Sequence, residues 1–461
     1  MGIIIQKFGG TSVGTGERMK DVARIIAASM EQQPVIGVVS AMSGTVKSEG
    51  TTSLILRAAE NAAKGQPFRK ELEKIKNHHL TALGQAVGSP DWRQPVEVAI
   101  RDELNRMAGL LRAIQVIREL PTRSHDVLLG AGERLSARIL SACLNDRGTP
   151  SAYVDLSNIV EEQETQVDPA FYQRLQNRIA EVCLPEPETV PIVTGFFGFM
   201  PGGLLRNVGR GYTDFTAALI SAGLGRERVD EMQVWKEVDG IYTADPRKVP
   251  TATVLQRISP NEASELTYFG SEVLHPFTME RVVAVGIPIR IKNTFHPESP
   301  GTVIVSRGEL APARVTAVTA KRGLAIVTVH SNRMYNAYGF LSNVFNVLRD
   351  TSIVVDLVST SEVSISFTMD RPEDLERVEK SLRPFGTVDI ARGRAILSVV
   401  GEGMKFVPGT AGQMFNALGA AGVNIEMISQ GASEINISCV IKEEDAERGL
   451  QAVHKSFLEP Q

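Results

Sequence analysis

Ile3-Ile4-Ile5-Gln6-Lys7-Phe8-Gly9-Gly10-Thr11-Ser12-Val13-Gly14 begins as a run of β-formers and breaks at two glycines. A helical pattern follows from near Glu17, with Met19, Val22, Ile25 and Ile26 at three-to-four spacing. Strand, glycine turn, hydroxyls and helix start together make a place for a phosphate. Glycines let backbone N–H groups close on an anion, and the helix dipole favours negative charge there. Lys7 adds a mobile cation at the strand end. The spacing matches neither GxGxxG nor the Walker loop GxxxxGK[ST]. A plain glycine turn joining strand to helix fits these residues equally well.

Working outward, 461 residues suggest about three domains of ordinary size. With 43% hydrophobic and 22% charged residues the composition is that of a globular protein. A formal net charge of -4 gives no basic footprint and argues against nucleic acid as a partner. No apolar run approaches the roughly 20 residues that span a bilayer, so no membrane partner is expected. The chain enters a strand without a leader pattern. Cys143, Cys183 and Cys439 are far apart and flanked by apolar residues, and they read as reduced core thiols of a cytoplasmic protein. His78-His79 sits in a charged helical stretch and reads as solvated rather than as a metal ligand.

From Met1 to about Ser306 strands alternate with helices. IIIQKF, PVIGVVS, HDVLLG, SAYVDL, VPIVTGF, EMQVWKEV and IPIRIKN are short aliphatic runs between helical segments. That alternation predicts an α/β fold, a mainly parallel sheet sandwiched by helices. Gln66 to Leu120 reads as a helical subdomain, and the polar stretch HPESPGTVIVSRGELAPAR as a domain boundary. Beyond it lies a degenerate repeat. Gly339 and Gly409 each open a helix, GFLSNVFNVLRDT and GTAGQMFNALGAAG, and each helix is followed by two strands. SEVSIS at Ser361 recurs as SEINIS at Ser433, and each copy continues into a charged amphipathic helix. This is the order of ferredoxin-like βαββαβ modules. The second copy ends in its helix, so another segment must complete its sheet, which predicts interlocked units. The expected domains are 1–306, 315–390 and 391–461.

Three further groups carry candidate chemistry. VTGFFG from Val193 is a second strand ending in glycines, and GRGYTD places Arg210 and Asp214 around the start of the helix FTAALISAGL. Asp214 is either a dipole-favoured first-turn acid or the group that fixes a catalytic lysine. Lys236, Glu237, Tyr242 and Arg247 lie in KEVDGIYTADPR at a strand end, where open α/β sheets bind ligands, though a polar surface loop fits as well. Ser40, Thr52 and Glu133 follow short aliphatic runs; the glutamate suits a substrate ammonium or a helix cap.

In this order KFGGTSVG, VVSAMSG, GERLSARI, VTGFFG, GRGYTDFTAAL, VDGIYTADPR and FGSEVLHP resemble aspartate kinase, a member of the amino-acid kinase superfamily. The tail, GFLSNVF, VVDLVSTSEVSIS and NIEMISQGASEINISCVI, looks like that family's paired ACT domains, so the resemblance covers essentially the full length. It implies an amino-acid kinase fold and transfer of the ATP γ-phosphate to the β-carboxylate of L-aspartate, at the head of lysine, threonine and methionine synthesis. Lys7 would stabilise the transferred group, with Gly9, Gly10, Thr11 and Ser12 lining the phosphates. Asp214 would orient Lys7 and help order ATP with Mg2+, no metal being held by protein ligands alone. Ser40, Thr52, Glu133 and Arg210 would hold aspartate, Glu133 on its ammonium and Arg210 on its α-carboxylate. Lys236, Glu237, Tyr242 and Arg247 would contact the nucleotide. Such a site needs no general base, because a β-carboxylate is already ionised at pH 7.

Three features depart from the family pattern. Its usual GRGGSD is here GRGYTD, with Tyr212 in the fourth place; Glu272 replaces a lysine common in bacterial members; and KSEGTT is inserted between Ser40 and Thr52, which makes Thr51 nearly as good a match. All three look like the fungal-type subgroup. In the first ACT unit Met334, Ala337, Gly339, Phe340, Leu341, Val355, Asp356, Thr360 and Glu362 match the family's effector site, with Asp356 on the effector's ammonium. Lysine and threonine are the two candidates, and pairing of ACT units implies a homo-oligomer. The competing readings are a related kinase for glutamate or a carbamate, and an amino-acid sensor whose kinase part has decayed.

Overall fold

In the computed structural model, residues 2–44, 46–160, 166–209, 211–268, 274, 276–305, 315–330, 339–404, 407–431 and 435–459 are described. The chain forms two compact units: Met1–Ile241 with Leu274–Glu309, and Tyr242–Val273 with Leu310–Gln461. In chain order the first unit holds β1 (Ile3–Phe8), α1 (Gly16–Met30), β2 (Val35–Val39), α2 (Thr51–Ala63), α3 (Arg69–Ala86), α4 (Pro90–Ile117) and α5 (Thr122–Asp146). It continues with β3 (Ser151–Val154), α6 (Pro169–Cys183), β4 (Val190–Thr194), α7 (Leu204–Asn207), α8 (Tyr212–Leu224) and β5 (Val229–Lys236). After β6 (Arg257–Ile258) and α9 (Pro260–Tyr268), which belong to the second unit, it closes with α10 (Pro276–Ala284), β7 (Ile289–Asn293) and β8 (Thr302–Ile304).

The strands of the first unit lie in the order β3-β4-β2-β1-β5-β7-β8. All neighbours pair in parallel except β8, which returns antiparallel to β7. Every residue of β2 and β4 is buried, as a parallel sheet covered on both faces requires. One face packs under α1 to α5, where Phe8, Val39, Ile192 and Trp235 join Met19, Leu54, Leu135 and Leu140. Each such aliphatic or aromatic side chain contributes about 1.5–3 kcal/mol on burial. Against β1, β2 and β5 lies α8, whose sequence YTDFTAALISAGL is buried along nearly its whole length. It stops at Gly225, where φ is 75°.

Three expectations change here. HDVLLG is not a strand: it lies inside α5, whose residues Leu128 to Leu144 are almost all buried. A run enclosed on every side has no amphipathic period, and periodicity alone does not separate helix from strand there. The boundary stretch contains β8, three residues paired to β7. His79 is fully buried rather than solvated, with Nδ1 2.7 Å from the Ile75 carbonyl, because α3 packs among α1, α2, α4 and α5. Burial pulls its pKa down to about 4.

The second unit carries β9 (Ala317–His330), α11 (Phe340–Asp350), β10 (Val358–Thr360), β11 (Ser364–Met369) and α12 (Leu375–Leu382). Then come β12 (Thr387–Val400), α13 (Thr410–Ala420), β13 (Met427–Ser429), β14 (Asn436–Lys442) and α14 (Ala446–Leu458). These six strands form one antiparallel sheet, β10-β11-β9-β12-β14-β13. The two 14-residue strands β9 and β12 pair along their length. Each serves two cores. Val327 and Ile390 pack with Val344, Leu348, Phe367 and Leu382, whereas Val318 and Leu397 pack with Met414, Leu418, Cys439 and Leu450. The pairing slips around Arg392 to Ile396, with Gly393 at φ 67°, a bulge at the changeover from one core to the other. Gly339 and Gly409, at φ 89° and 87°, open α11 and α13 in matching left-handed turns. Cys143, Cys183 and Cys439 are buried free thiols, as expected.

Candidate active site

Successive side chains of a strand point to opposite faces. Phe8 joins the core under α1 to α5, so Lys7 emerges on the face that carries α8. There its Nζ lies 2.7 Å from Oδ1 of Asp214 in the first turn of α8, with side-chain exposures of 9% and 12%. The glycine turn folds against the segment after β2. Ser43 N–H donates to the Gly10 carbonyl at 2.9 Å, and Ser40 N–H to the Phe8 carbonyl at 3.1 Å. A Cβ on Gly10 would stand 2.5 Å from the Ala41 carbonyl oxygen, and one on Gly14 would stand 2.0 Å from that of Ser43. Gly9, by contrast, leaves 3.8 Å to the Lys7 ammonium. Ser12 serves the turn itself: its N–H donates to the Gly9 carbonyl at 3.0 Å and its hydroxyl meets Thr294 at 2.8 Å. Thr11 is half-buried, its carbonyl held by Arg18 at 2.9 Å.

Beside this turn lies a cleft of about 230 Å³ whose walls include Gly10, Ser40, Thr52, Glu133 and Tyr212. Glu133 does not follow a strand and caps nothing. It sits in the middle of α5, which Gly132 lets approach the loop: a Cβ there would lie 2.6 Å from that of Ala41. Glu133 is 1% exposed; one carboxylate oxygen accepts from the Tyr212 hydroxyl at 2.6 Å, and the other has no hydrogen-bond partner among the described residues. Burial raises its pKa to about 7, against the lowering pull of Tyr212, of backbone amides including Ala41, and of Arg134. The same enclosure and the adjoining carboxylate hold the Tyr212 phenol well above its ordinary value, against a lowering pull from Thr52. Thr51 lies beside Thr52 at the start of α2, fully buried, with its N–H on the Met42 carbonyl at 3.0 Å. Next to Glu133, Arg134 turns away to Glu103 at 2.6 Å.

Lys7, Gly9, Gly10, Thr11, Ser12, Ser40, Thr52, Glu133 and Asp214 thus all belong to the first unit. Lys236, half-buried, and Glu237, exposed, lie at and just beyond the end of β5 in the same unit. Tyr242 and Arg247 belong to the second unit, where Tyr242 bridges to Val254 and the exposed Arg247 pairs with Asp245 at 3.0 Å. Arg210, Glu272, Met334 and Ala337 lie outside the described residues. Among the described residues no three His, Cys, Asp or Glu side chains cluster as a metal site.

At the candidate effector site Gly339 caps α11, Phe340 is buried and Leu341 exposed; Val355 is half-buried, and Thr360 and Glu362 are exposed. Asp356 is already engaged. Its Oδ1 receives Lys321 Nζ at 2.8 Å with only 3% of the side chain exposed, and the same ammonium reaches Asp370 at 3.2 Å. Sequence reasoning missed Lys321, and it noted Tyr212 only as a departure. Neither pairing has a local signal, because the partners stand far apart in the chain.

The sequence model of the amino acid kinase family matches residues 2–293. The chain belongs to the amino acid kinase family. An ACT domain match covers residues 397–457 of this kinase. Aspartokinase of Schizosaccharomyces pombe is 43% identical to it, over all of this chain and 93% of that one. Aspartokinase of Saccharomyces cerevisiae is 41% identical, over 99% and 92%. Among solved structures, E. coli aspartokinase III in complex with lysine and aspartate, in its T-state, matches with a TM-score of 0.82 at 28% identity. That match covers 99% of this chain and 100% of the other.

Proposed function

We infer that this amino acid kinase is an aspartate kinase, moving the γ-phosphoryl group of ATP to the β-carboxylate of L-aspartate to give 4-phospho-L-aspartate. This is the first step of lysine, threonine and methionine biosynthesis, feedback-regulated by an amino acid at the ACT modules. Beside its relatives, the observation that carries the reading is the buried Lys7–Asp214 pair at a glycine turn next to a cleft walled by Glu133. The residues fit a nucleotide triphosphate. Lys7 brings an ammonium to the turn at Gly9, and Gly10 has no room for a Cβ beside the Ala41 carbonyl. Mg2+ would arrive on the phosphates, with Asp214 helping to order it.

The reaction asks little covalent chemistry of the protein. An aspartate β-carboxylate oxygen attacks the γ-phosphorus while the bridging oxygen leaves with ADP, and no proton has to be removed. Lys7 offsets the charge on the passing group, and Asp214 holds Lys7 at the strand end. Glu133 takes the substrate ammonium on its unpartnered oxygen; Ser40, Thr52 and Arg210 complete the aspartate site. Thr11, Ser12, Lys236, Glu237, Tyr242 and Arg247 are assigned to the nucleotide side. We read 1–306 as the kinase portion and 315–390 and 391–461 as interlocked ACT modules, a junction that falls inside β12. Effector binding involves Met334, Gly339, Phe340, Leu341, Val355, Asp356, Thr360 and Glu362, and the ACT modules pair between copies in a cytoplasmic homo-oligomer. Lysine and threonine are the two candidate effectors.

The test is a coupled ADP-release assay with aspartate, glutamate or no acceptor, repeated with lysine and threonine titrated separately. Aspartate-dependent turnover, suppressed by one of the two effectors, is the expected result. Equal turnover with glutamate would remove the substrate assignment, and indifference to both effectors would remove the regulatory one.

A further inference from the structure

Tyr212 stands where the wider family has a glycine, and the structure gives that difference a chemical consequence. A glycine has no side chain to reach Glu133. Here the phenol, itself 3% exposed, reaches from the first residue of α8 to the middle of α5 and donates to one Glu133 oxygen at 2.6 Å. The other oxygen of the same carboxylate has no partner among the described residues, although Glu133 is 1% exposed and borders the cleft. An enclosed carboxylate oxygen left without a donor is costly unless something supplies one.

We propose that Tyr212 is a positioning residue for aspartate recognition: its hydroxyl ties down one oxygen of Glu133 so that the other is presented to the substrate's α-ammonium. The ring also walls the cleft, so one side chain both shapes the space and sets the orientation of its acid. Thr52 on α2 lines the same cleft as Glu133 and Tyr212, so that α2, α5 and α8 all contribute to its walls around the ammonium position. The inference rests on the aspartate kinase reading, and specifically on Glu133 as the ammonium acceptor.

The arrangement makes aspartate capture depend on the ionisation of Glu133, which must be charged to receive the ammonium. The groups acting on it are Tyr212 from α8, the Ala41 amide from the loop after β2, and Arg134 on its own helix, itself engaged by Glu103. Asp126 of α5 acts on Tyr212, and Lys47 lines the same cleft. Buried as it is, Glu133 titrates at about 7. Losing the tyrosine donor raises that value further, so the acid limb of kcat/KM for aspartate moves to higher pH.

The experiment compares wild type, Tyr212→Phe, Glu133→Gln and the double variant across pH 6 to 9, with thermal melts as a folding check. In Tyr212→Phe, KM for aspartate rises at least about tenfold at pH 7, as expected for a lost bond to a charged group. There kcat changes much less, the acid limb shifts upward, and the deficit narrows towards pH 9. In the Glu133→Gln background the same substitution has almost no further effect on KM, the signature of two groups acting as one. A Tyr212→Phe variant that loses kcat equally at every pH, or keeps the wild-type KM while Glu133→Gln does not, overturns the proposal alone. A Glu133→Gln variant with unchanged aspartate KM would instead remove the ammonium assignment beneath it.

Discussion

Replacing Lys7 with methionine removes an ammonium and leaves a side chain of similar length. In the native protein that ammonium lies 2.7 Å from Asp214, and the two side chains keep 9% and 12% of their exposure. Removing one member of a buried pair costs about 3–5 kcal/mol, because the remaining charge stays enclosed. The small residual contact with water puts the loss near the lower end, about 3 kcal/mol. For a unit of this size that lowers Tm by roughly 5 °C. The catalytic loss has a different origin, the absence of a preorganised cation where charge passes, and is about 100- to 1,000-fold in kcat. The double variant Lys7→Met/Asp214→Asn separates the two effects. It buries no unpaired charge and recovers most of the stability, yet it has no cation for the phosphoryl group. Melting curves and ADP release with aspartate are measured on all three proteins. A Lys7→Met enzyme that keeps more than a tenth of its kcat, or a double variant whose activity returns with its stability, would show the pair to be scaffolding.

Other outcomes follow from the same geometry. Gly10→Ala drives a methyl group to 2.5 Å from the Ala41 carbonyl oxygen, so the turn must shift; a rise in KM for ATP with a loss of about 1–3 kcal/mol is expected from kinetics and denaturant melts. His79 resists protonation down to about pH 4, whereas the unfolded chain takes up that proton near 6.5. Its contribution is therefore fully present above pH 6.5 and is lost as pH falls towards 4, by roughly 3 kcal/mol. Urea midpoints at pH 7 and 4.5 should lie closer together in His79→Gln than in wild type. Arg134→Met leaves the enclosed Glu103 with the half-exposed Arg106 as its remaining cation among the described residues, and a lowering of the urea midpoint equivalent to about 3 kcal/mol is expected.

The parts legible in the sequence are those whose chemistry is local. The break from Phe8 to Gly9-Gly10, the first-turn position of Asp214 and the paired glycines Gly339 and Gly409 each signal their structure within a few residues. HDVLLG misled because α5 is buried almost continuously from Leu128 to Leu144 and so leaves little period to read. His79 misled because the charged residues of α3 mark one face only, while its other side lies under four helices. The least legible features were pairings across distance. Tyr212 with Glu133, and Lys321 with Asp356, are made by tertiary packing, and no spacing rule connects them.

The common sheet of the second unit also bears on how such a duplicated tail can change over time. Because β9 and β12 each lend one end to each core, no seam exists along which a copy could be trimmed or traded for a foreign one. A deletion of 391–461 would strip most of β12 from β9 and bare the backbone amides and carbonyls from Ala317 to Ile326. Built in this manner, the two copies stand or fall together, because each core is walled by strand that also serves the other.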